Sequence, residues 1–94
     1  MMTGSSWHLY VARCSDNTLY TGVTTDLSRR LYEHNNSKKG AKYTRSRRPV
    51  TIVYSREFLN RSEAQIAESS FKKLRRSQKD KIISENLLSC MTFI

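Results

Sequence analysis

Five polar side chains stand at spacings that a small fold can bring to one place: Tyr10, Tyr20, Arg30, His34 and Glu68. Together they suit phosphoryl chemistry. Hydrolysis of a phosphodiester needs a base for the attacking water, compensation of the charge that builds on phosphorus, and help for the leaving oxygen. The planar fork of Arg30 matches phosphate oxygens. His34 changes charge near physiological pH and can accept or relay a proton. A tyrosine with its ordinary pKa of about 10 is a weak base near neutrality, but nearby cations favour phenolate. Glu68 is a candidate ligand for a hard cation such as Mg²⁺, which keeps most of its waters and needs one carboxylate plus a substrate phosphate. The sequence offers no Ser/His/Asp set, no glycine-rich phosphate loop and no paired carboxylates to compete with this reading.

Local elements must position these groups. Trp7 to Cys14 alternates partly, and Ser15-Asp16-Asn17 is a turn signal before a second short strand, Thr18 to Gly22. Loop length decides whether the tyrosines cooperate. A two-residue loop pairs Ser15 with Thr18 and puts Tyr10 and Tyr20 on opposite faces. A three-residue loop pairs Cys14 with Thr18 and puts them on the same face. The longer loop needs a left-handed residue at its end, and Asn17 tolerates that conformation, so the three-residue loop is expected.

Thr25 or Asp26 is a good N-cap for a helix over about Leu27–Asn35. Arg30 and His34, three and seven residues after Leu27, share the stripe of Leu27 and Leu31, whereas Arg29 falls on the solvent side. An inward Arg30 requires an anionic partner. Residues 36–49 lack apolar periodicity and read as a long basic loop holding Lys38, Lys39, Lys42, Arg45, Arg47 and Arg48, with Tyr43 among them. These cations and the aromatic ring suit phosphate tracking and base stacking. Val50–Phe58 reads as a third strand, with Ile52 and Tyr54 on one face and Thr51, Val53 and Ser55 on the other. Asn60 and Glu63 form a capping-box pattern for a helix over Arg61–Arg75, whose apolar stripe is Ala64, Ala67, Phe71 and Leu74. Glu68 lies beside that stripe; its alternative use is a surface pair with Lys72. Ser77 is read as the cap of a last helix, about Gln78–Leu87, with Ile83 and Leu87 inward, before an apolar but unpatterned tail from Leu88 to Ile94. Trp7, Phe58 and Phe71 are expected in the core.

The whole is an α+β chain: a three-stranded antiparallel sheet, sandwich-like, flanked by about three helices. Its 94 residues make one domain, and its formal charge of +9 favours polyanionic partners, DNA above all, with RNA also open. No apolar run is long enough for a membrane span, and Met1 to Ser6 lacks a signal-peptide core, so a soluble cytoplasmic protein is expected. Cys14 and Cys90 stand far apart without metal-ligand spacing and are read as reduced thiols without a disulfide partner.

The ordered set His8-Leu9-Tyr10, Tyr20-Thr21-Gly22, Arg30, His34 and Glu68 resembles the GIY-YIG nuclease domain superfamily. The run from Thr18 to Arg30, His34-Asn35, Lys42-Tyr43-Thr44-Arg45, Arg48-Pro49-Val50, and Glu68 followed by Lys72 and Lys73 resemble its small stand-alone YhbQ-like bacterial members. The resemblance spans about residues 6–82, leaving 83–94 as an extension of the last helix and a tail. It implies the GIY-YIG endonuclease fold and a divalent-metal-dependent DNA nuclease. It implies further that Tyr10, Tyr20, Arg30 and His34 are catalytic and that Glu68 holds one Mg²⁺ or Mn²⁺. Lys72 joins the nucleic-acid-binding set. Tyr10 is the preferred base and Tyr20 the group that positions water or phosphate; the reverse assignment also fits. His8 replaces the first glycine of the motif and Thr21 the central isoleucine, and neither is a chemical group of the mechanism. The alternative function is a non-catalytic or partner-dependent nucleic-acid-binding module on the same fold.

Overall fold

Cys14 and Thr18 close the first hairpin, with the Cys14 amide donating to the Thr18 carbonyl at 2.9 Å and Asn17 at φ 68°. This is the three-residue loop expected from the tyrosine spacing. In the computed structural model, which describes residues 6–92, the chain runs β1 (Trp7–Arg13), β2 (Leu19–Thr24), α1 (Leu27–Asn36), α2 (Lys42–Arg45), β3 (Thr51–Phe58), α3 (Arg61–Lys72) and α4 (Arg76–Thr92). Both neighbours of the central strand are antiparallel to it, in the order β2-β1-β3. The register sets Tyr10 opposite Gly22 and Ala12 opposite Tyr20, so the two tyrosines share a face.

That face forms one half of the core: Tyr10, Ala12, Cys14 and Val50 are buried, with Tyr20, Leu27, Leu31 and Ile52 packed against them. The other half holds Val11, Phe71 and Ile83, covered by Leu19, Val53, Tyr54, Leu74 and Ile82. The sheet is thus lined by α1 on one side and by α3 and α4 on the other. Asp26 caps α1 by accepting from the Arg29 amide at 3.0 Å, and Asn60 caps α3 by accepting from the Glu63 amide at 2.9 Å.

Several expectations are corrected. The alternation expected for β3 fails because one extra residue, Val53, sits where Val11 pairs with Tyr54 and Ala12 with Ile52. This bulge turns Ile52 and Tyr54 to opposite halves of the core, whereas a regular strand would keep them together. Residues 36–49 are not all loop. They contain the one-turn α2, too short to show a period in sequence, and bury Gly40 and Thr44. A Cβ on Gly40 would lie 2.6 Å from the Glu33 carbonyl oxygen, so glycine permits this close approach to α1. α3 stops at Lys72, short of Arg75. α4 starts before Ser77, with the Gln78 side chain accepting from the Arg75 amide at 3.0 Å. That helix runs on to Thr92, through most of the expected tail. Phe71 and Ile83 are core residues, while Trp7 and Phe58 are only half-buried. The side chains of Leu87 and Cys90 lie outside the described residues. Cys14 is a buried free thiol.

Asn35 ties α1 to the start of β3. Its side chain donates to the Val50 carbonyl at 2.9 Å and accepts from the Val50 amide at 2.6 Å. The turn and this clamp give a stability prediction. Asn17→Val, which forces a β-branched residue into left-handed backbone, is expected to cost about 1–2 kcal/mol, and Asn17→Gly about none. Asn35→Ala, which strands both Val50 groups, is expected to cost about 2–3 kcal/mol. Urea unfolding of the three variants against the parent checks all of these values.

Candidate active site

A polar side chain is buried at low cost only when its hydrogen bonds are made. Tyr10 and His34 are 1% and 0% exposed, and Tyr10 Oη lies 2.7 Å from His34 Nε2. The other ring nitrogen, Nδ1, is 2.9 Å from Thr44 Oγ1, also 0% exposed, and Thr44 donates to the Ala41 carbonyl at 2.9 Å. Arg30 Nε donates to Tyr10 Oη at 3.3 Å. Side chains from β1, α1 and α2 are therefore joined in one line, Arg30–Tyr10–His34–Thr44.

Tyr20 completes the cluster from β2. Its ring centroid is 6.3 Å from that of Tyr10 and 5.3 Å from that of His34, edge-on to the imidazole. Tyr43 of α2 stacks on Tyr20 at 6.2 Å, and the Arg47 guanidinium lies 4.0 Å over the Tyr43 ring. Tyr20 also lines an open groove of about 300 Å³ with Leu19, Thr21, Tyr43, Lys72 and Lys79. Of the two tyrosines, Tyr20 faces the groove and Tyr10 is withdrawn behind it. Gly22 makes this packing fit: opposite Tyr10 in the ladder, it lets the phenol lie where a Cβ would come within 2.7 Å of Oη.

Burial governs the protonation states. It pushes the Tyr10 phenol up to about 12, although the Arg30 bond and charge oppose the shift. It pushes the His34 imidazole down to about 4, and the charge of Arg30 acts in the same direction. Both groups are neutral near pH 7. Arg30 is 23% exposed at its side chain against 58% for Arg29, as the helix stripe predicts. Its anionic partner is Glu33, at 3.0 Å from Nη1, and Nη1 also donates to the Lys39 carbonyl at 2.9 Å. Sequence reasoning missed Glu33, although its position three residues after Arg30 was the signal for it.

Glu68 arrives on α3, which packs against β2 and β1. Its carboxylate is 3.3 Å from Lys72 Nζ, the pair weighed as its alternative use, and its charge is felt at Tyr10, where it opposes ionisation. Among the described residues no three His, Cys, Asp or Glu side chains cluster as a metal cage. A single half-buried carboxylate still fits a cation that keeps its waters, as Mg²⁺ and Mn²⁺ do.

The basic segment divides. Lys38, Lys39, Lys42 and Arg45 are exposed. Arg48 instead turns inward and donates to the carbonyls of His34 and Ser37, satisfying the C-terminal end of α1. Arg47 pairs with Asp16 at 3.0 Å and donates to the Tyr43 carbonyl at 2.8 Å, fastening α2 to the hairpin turn. Thr44 and Lys79 were also missed. Thr44 stands within Lys42-Tyr43-Thr44-Arg45, a run singled out for its family resemblance, in which only the charges and the tyrosine were given a use. Lys79 gave no signal apart from the basic composition.

The fold is thus a small α+β domain, a three-stranded antiparallel sheet with a tyrosine–histidine–arginine cluster on the face that α1 covers. The profile of the GIY-YIG catalytic domain matches residues 6–81, and the chain belongs to that family. It is 47% identical over 90 residues to a UPF0213 protein of Desulfotalea psychrophila, covering 94% of this chain and 82% of that one. It is 54% identical over 72 residues to a UPF0213 protein of Streptococcus agalactiae, covering 77% and 81%. Two solution NMR structures are similar. One is a protein from E. faecalis, with 44% identity, TM-score 0.61 and coverage of 94% of this chain and 93% of that one. The other is the UPF0213 protein of Bacillus halodurans, with 40% identity, TM-score 0.55 and coverage of 84% and 83%. Among the described residues no helix is long and apolar enough to cross a membrane.

The neutral pair predicts a two-sided pH dependence of stability. Between about pH 6.5 and 10 both groups are neutral in the folded and unfolded chain, and their contribution is fully present. Below 6.5 the unfolded chain protonates His34 while the fold resists down to about 4, so stability falls on acidification by on the order of 2–3 kcal/mol. Above 10 the unfolded chain loses the Tyr10 proton that the fold retains to about 12, so stability also falls there. Denaturant unfolding across pH should show the plateau, and His34→Gln should flatten the acid limb. Gly22→Ala should destabilise by about 1–3 kcal/mol, because Tyr10 Oη is held by His34 and cannot move aside.

Proposed function

We propose that the protein is a divalent-metal-dependent nuclease that hydrolyses DNA phosphodiester bonds, with Tyr10, Tyr20, Arg30 and His34 as catalytic residues and Glu68 as ligand of one Mg²⁺ or Mn²⁺. The observation that carries this reading is the cluster itself: a phenol bonded to an imidazole at 2.7 Å and to a guanidinium at 3.3 Å, behind a second phenol open to a basic groove. Membership of a family of catalytic domains and a net charge of +9 support it.

The chemistry follows the logic of an activated nucleophile or base. Tyr10 alone, at about 12, is a poor base. Transfer of its proton from Oη to His34 Nε2 leaves a phenolate beside Arg30 and an imidazolium that can keep donating from both nitrogens. The phenolate then accepts the proton of a water that Tyr20 orients at the groove. An approaching phosphate favours the imidazolium but opposes the phenolate, whose charge Arg30 offsets. Arg30 offsets the charge developing on the phosphoryl oxygens. A cation bound at Glu68 would supply Lewis acidity to the phosphate and the leaving oxygen. Lys72 and Lys79, with the exposed Lys38, Lys39, Lys42 and Arg45, are assigned to the phosphate backbone.

One observation favours a second assignment within the same reading. Tyr20 faces the groove while Tyr10 is buried, which suits Tyr20 as the base and Tyr10 as its support.

Cleavage of single-stranded, duplex and branched DNA with and without Mg²⁺ or Mn²⁺ tests the proposal. Arg30→Ala and Glu68→Ala are each expected to lower kcat by about 10²-fold or more. If Tyr10 and His34 act as a unit, Tyr10→Phe, His34→Ala and the double variant lose activity by similar factors. If Tyr20 is the base, Tyr20→Phe is the most damaging and the other two losses multiply. Metal-independent binding with no cleavage of any substrate would replace the nuclease with a nucleic-acid-binding module.

A further inference from the structure

His34 holds no hydrogen whose place is obvious from sequence, yet its neighbours fix where that hydrogen must be. The Ala41 carbonyl can only accept. Thr44 has one hydroxyl hydrogen, and its Oγ1 is 2.9 Å from both the Ala41 oxygen and His34 Nδ1. If the hydroxyl donates to Ala41, it can meet Nδ1 only as an acceptor, so the hydrogen is on Nδ1. Nε2 then carries a lone pair and accepts from Tyr10 Oη at 2.7 Å. Tyr10 Oη in turn accepts from Arg30 Nε. Every hydrogen in the line has one acceptor.

The other tautomer fails on the same count. With the hydrogen on Nε2, Tyr10 Oη would receive two donors, and its own hydrogen would point into a site that is 1% exposed. Thr44 would have to give up the Ala41 carbonyl to reach Nδ1. That carbonyl also accepts from the amides of Thr44 and Arg45, at 3.0 and 3.2 Å, so the turn fixes the Thr44 backbone and keeps Oγ1 between the carbonyl and the imidazole.

We propose that Thr44 is a positioning residue that locks His34 in the Nδ1–H tautomer, leaving Nε2 as the acceptor for the Tyr10 proton. In the relay the Tyr10 Oη–H bond breaks and an Nε2–H bond forms. Nδ1–H stays on Thr44 throughout, so no second proton moves and the ring need not flip. The role of the lock in catalysis rests on the nuclease reading; the lock itself does not.

Tyr10 also favours this tautomer, so the test separates the two. The ¹⁵N and ¹H shifts of the His34 ring, read by long-range NMR correlation at neutral pH, report which nitrogen is protonated. The hydrogen is expected on Nδ1 in the wild type and to remain there in Tyr10→Phe, where only Thr44 can hold it. It is expected to remain in Tyr10→Phe/Thr44→Ser. In Tyr10→Phe/Thr44→Val the ring should shift to the Nε2–H form that imidazole prefers without a partner. Nε2–H in the wild type or in Tyr10→Phe would overturn the proposal, as would Nδ1–H surviving in the double variant with valine. Amide spectra identify any variant that does not fold; in that case the wild type, Tyr10→Phe and the serine variant decide the matter.

In the cleavage assay Thr44→Val should lower kcat by about 10-fold with KM unchanged, and Thr44→Ser should restore it. An unchanged kcat in Thr44→Val would remove the positioning role. A wild type that cuts nothing while the ring shifts come out as stated would refute the nuclease reading and leave the lock intact.

Discussion

Tyr10 and His34 place two polar rings in the centre of a small fold and join them by one hydrogen bond of 2.7 Å. In that position each ring must find partners for its remaining polar atoms, because an unpaired buried donor costs more than a paired one contributes. The requirement spreads outward through the chain. His34 Nδ1 needs Thr44, which needs the turn of α2. Holding α2 against α1 needs the missing Cβ of Gly40, and fastening it to the hairpin needs Arg47. Tyr10 needs the open space over Gly22. A segment that shows no periodicity in sequence is ordered by one buried imidazole.

Charge is handled differently at the two layers. Inside, the rings are kept neutral by burial, and Arg30, the cation bonded to Tyr10, is balanced by Glu33. Outside, the positive excess is left in place, and two lysines border the groove beside Tyr20. Burial keeps the two rings neutral, and the surface charge beside them favours polyanions in the groove.

The parts legible in sequence were those governed by short-range rules. The parity of the hairpin loop followed from Asn17 and the strand period, and the inward turn of Arg30 followed from helix geometry. Both depend on a few neighbouring residues. The bulge at Val53 was not legible because nothing local marks it; it arises where β3 must pair with β1 while feeding Ile52 and Tyr54 to different layers. Arg48 misled because its composition reads as surface charge, whereas its partners are the carbonyls of a helix end more than ten residues earlier in the chain. Thr44 was hidden for the same reason. A threonine beside lysines and arginines carries no sign of its use until the fold sets it against His34.

The placement of α2 joins the two layers. Tyr43 and Thr44 are consecutive on one turn and face opposite ways. Tyr43 stacks on Tyr20 at the groove, and Thr44 is fully buried on His34. A strand lying in the groove would meet Tyr43, and any displacement of that turn must move Thr44 with it, since the two share a peptide bond. The Arg47–Asp16 pair and the Arg47–Tyr43 contacts resist such movement. A stiff α2 would keep the imidazole in register with Tyr10 under such a load. The same loop therefore carries exposed cations on its surface and holds the His34 ring from within.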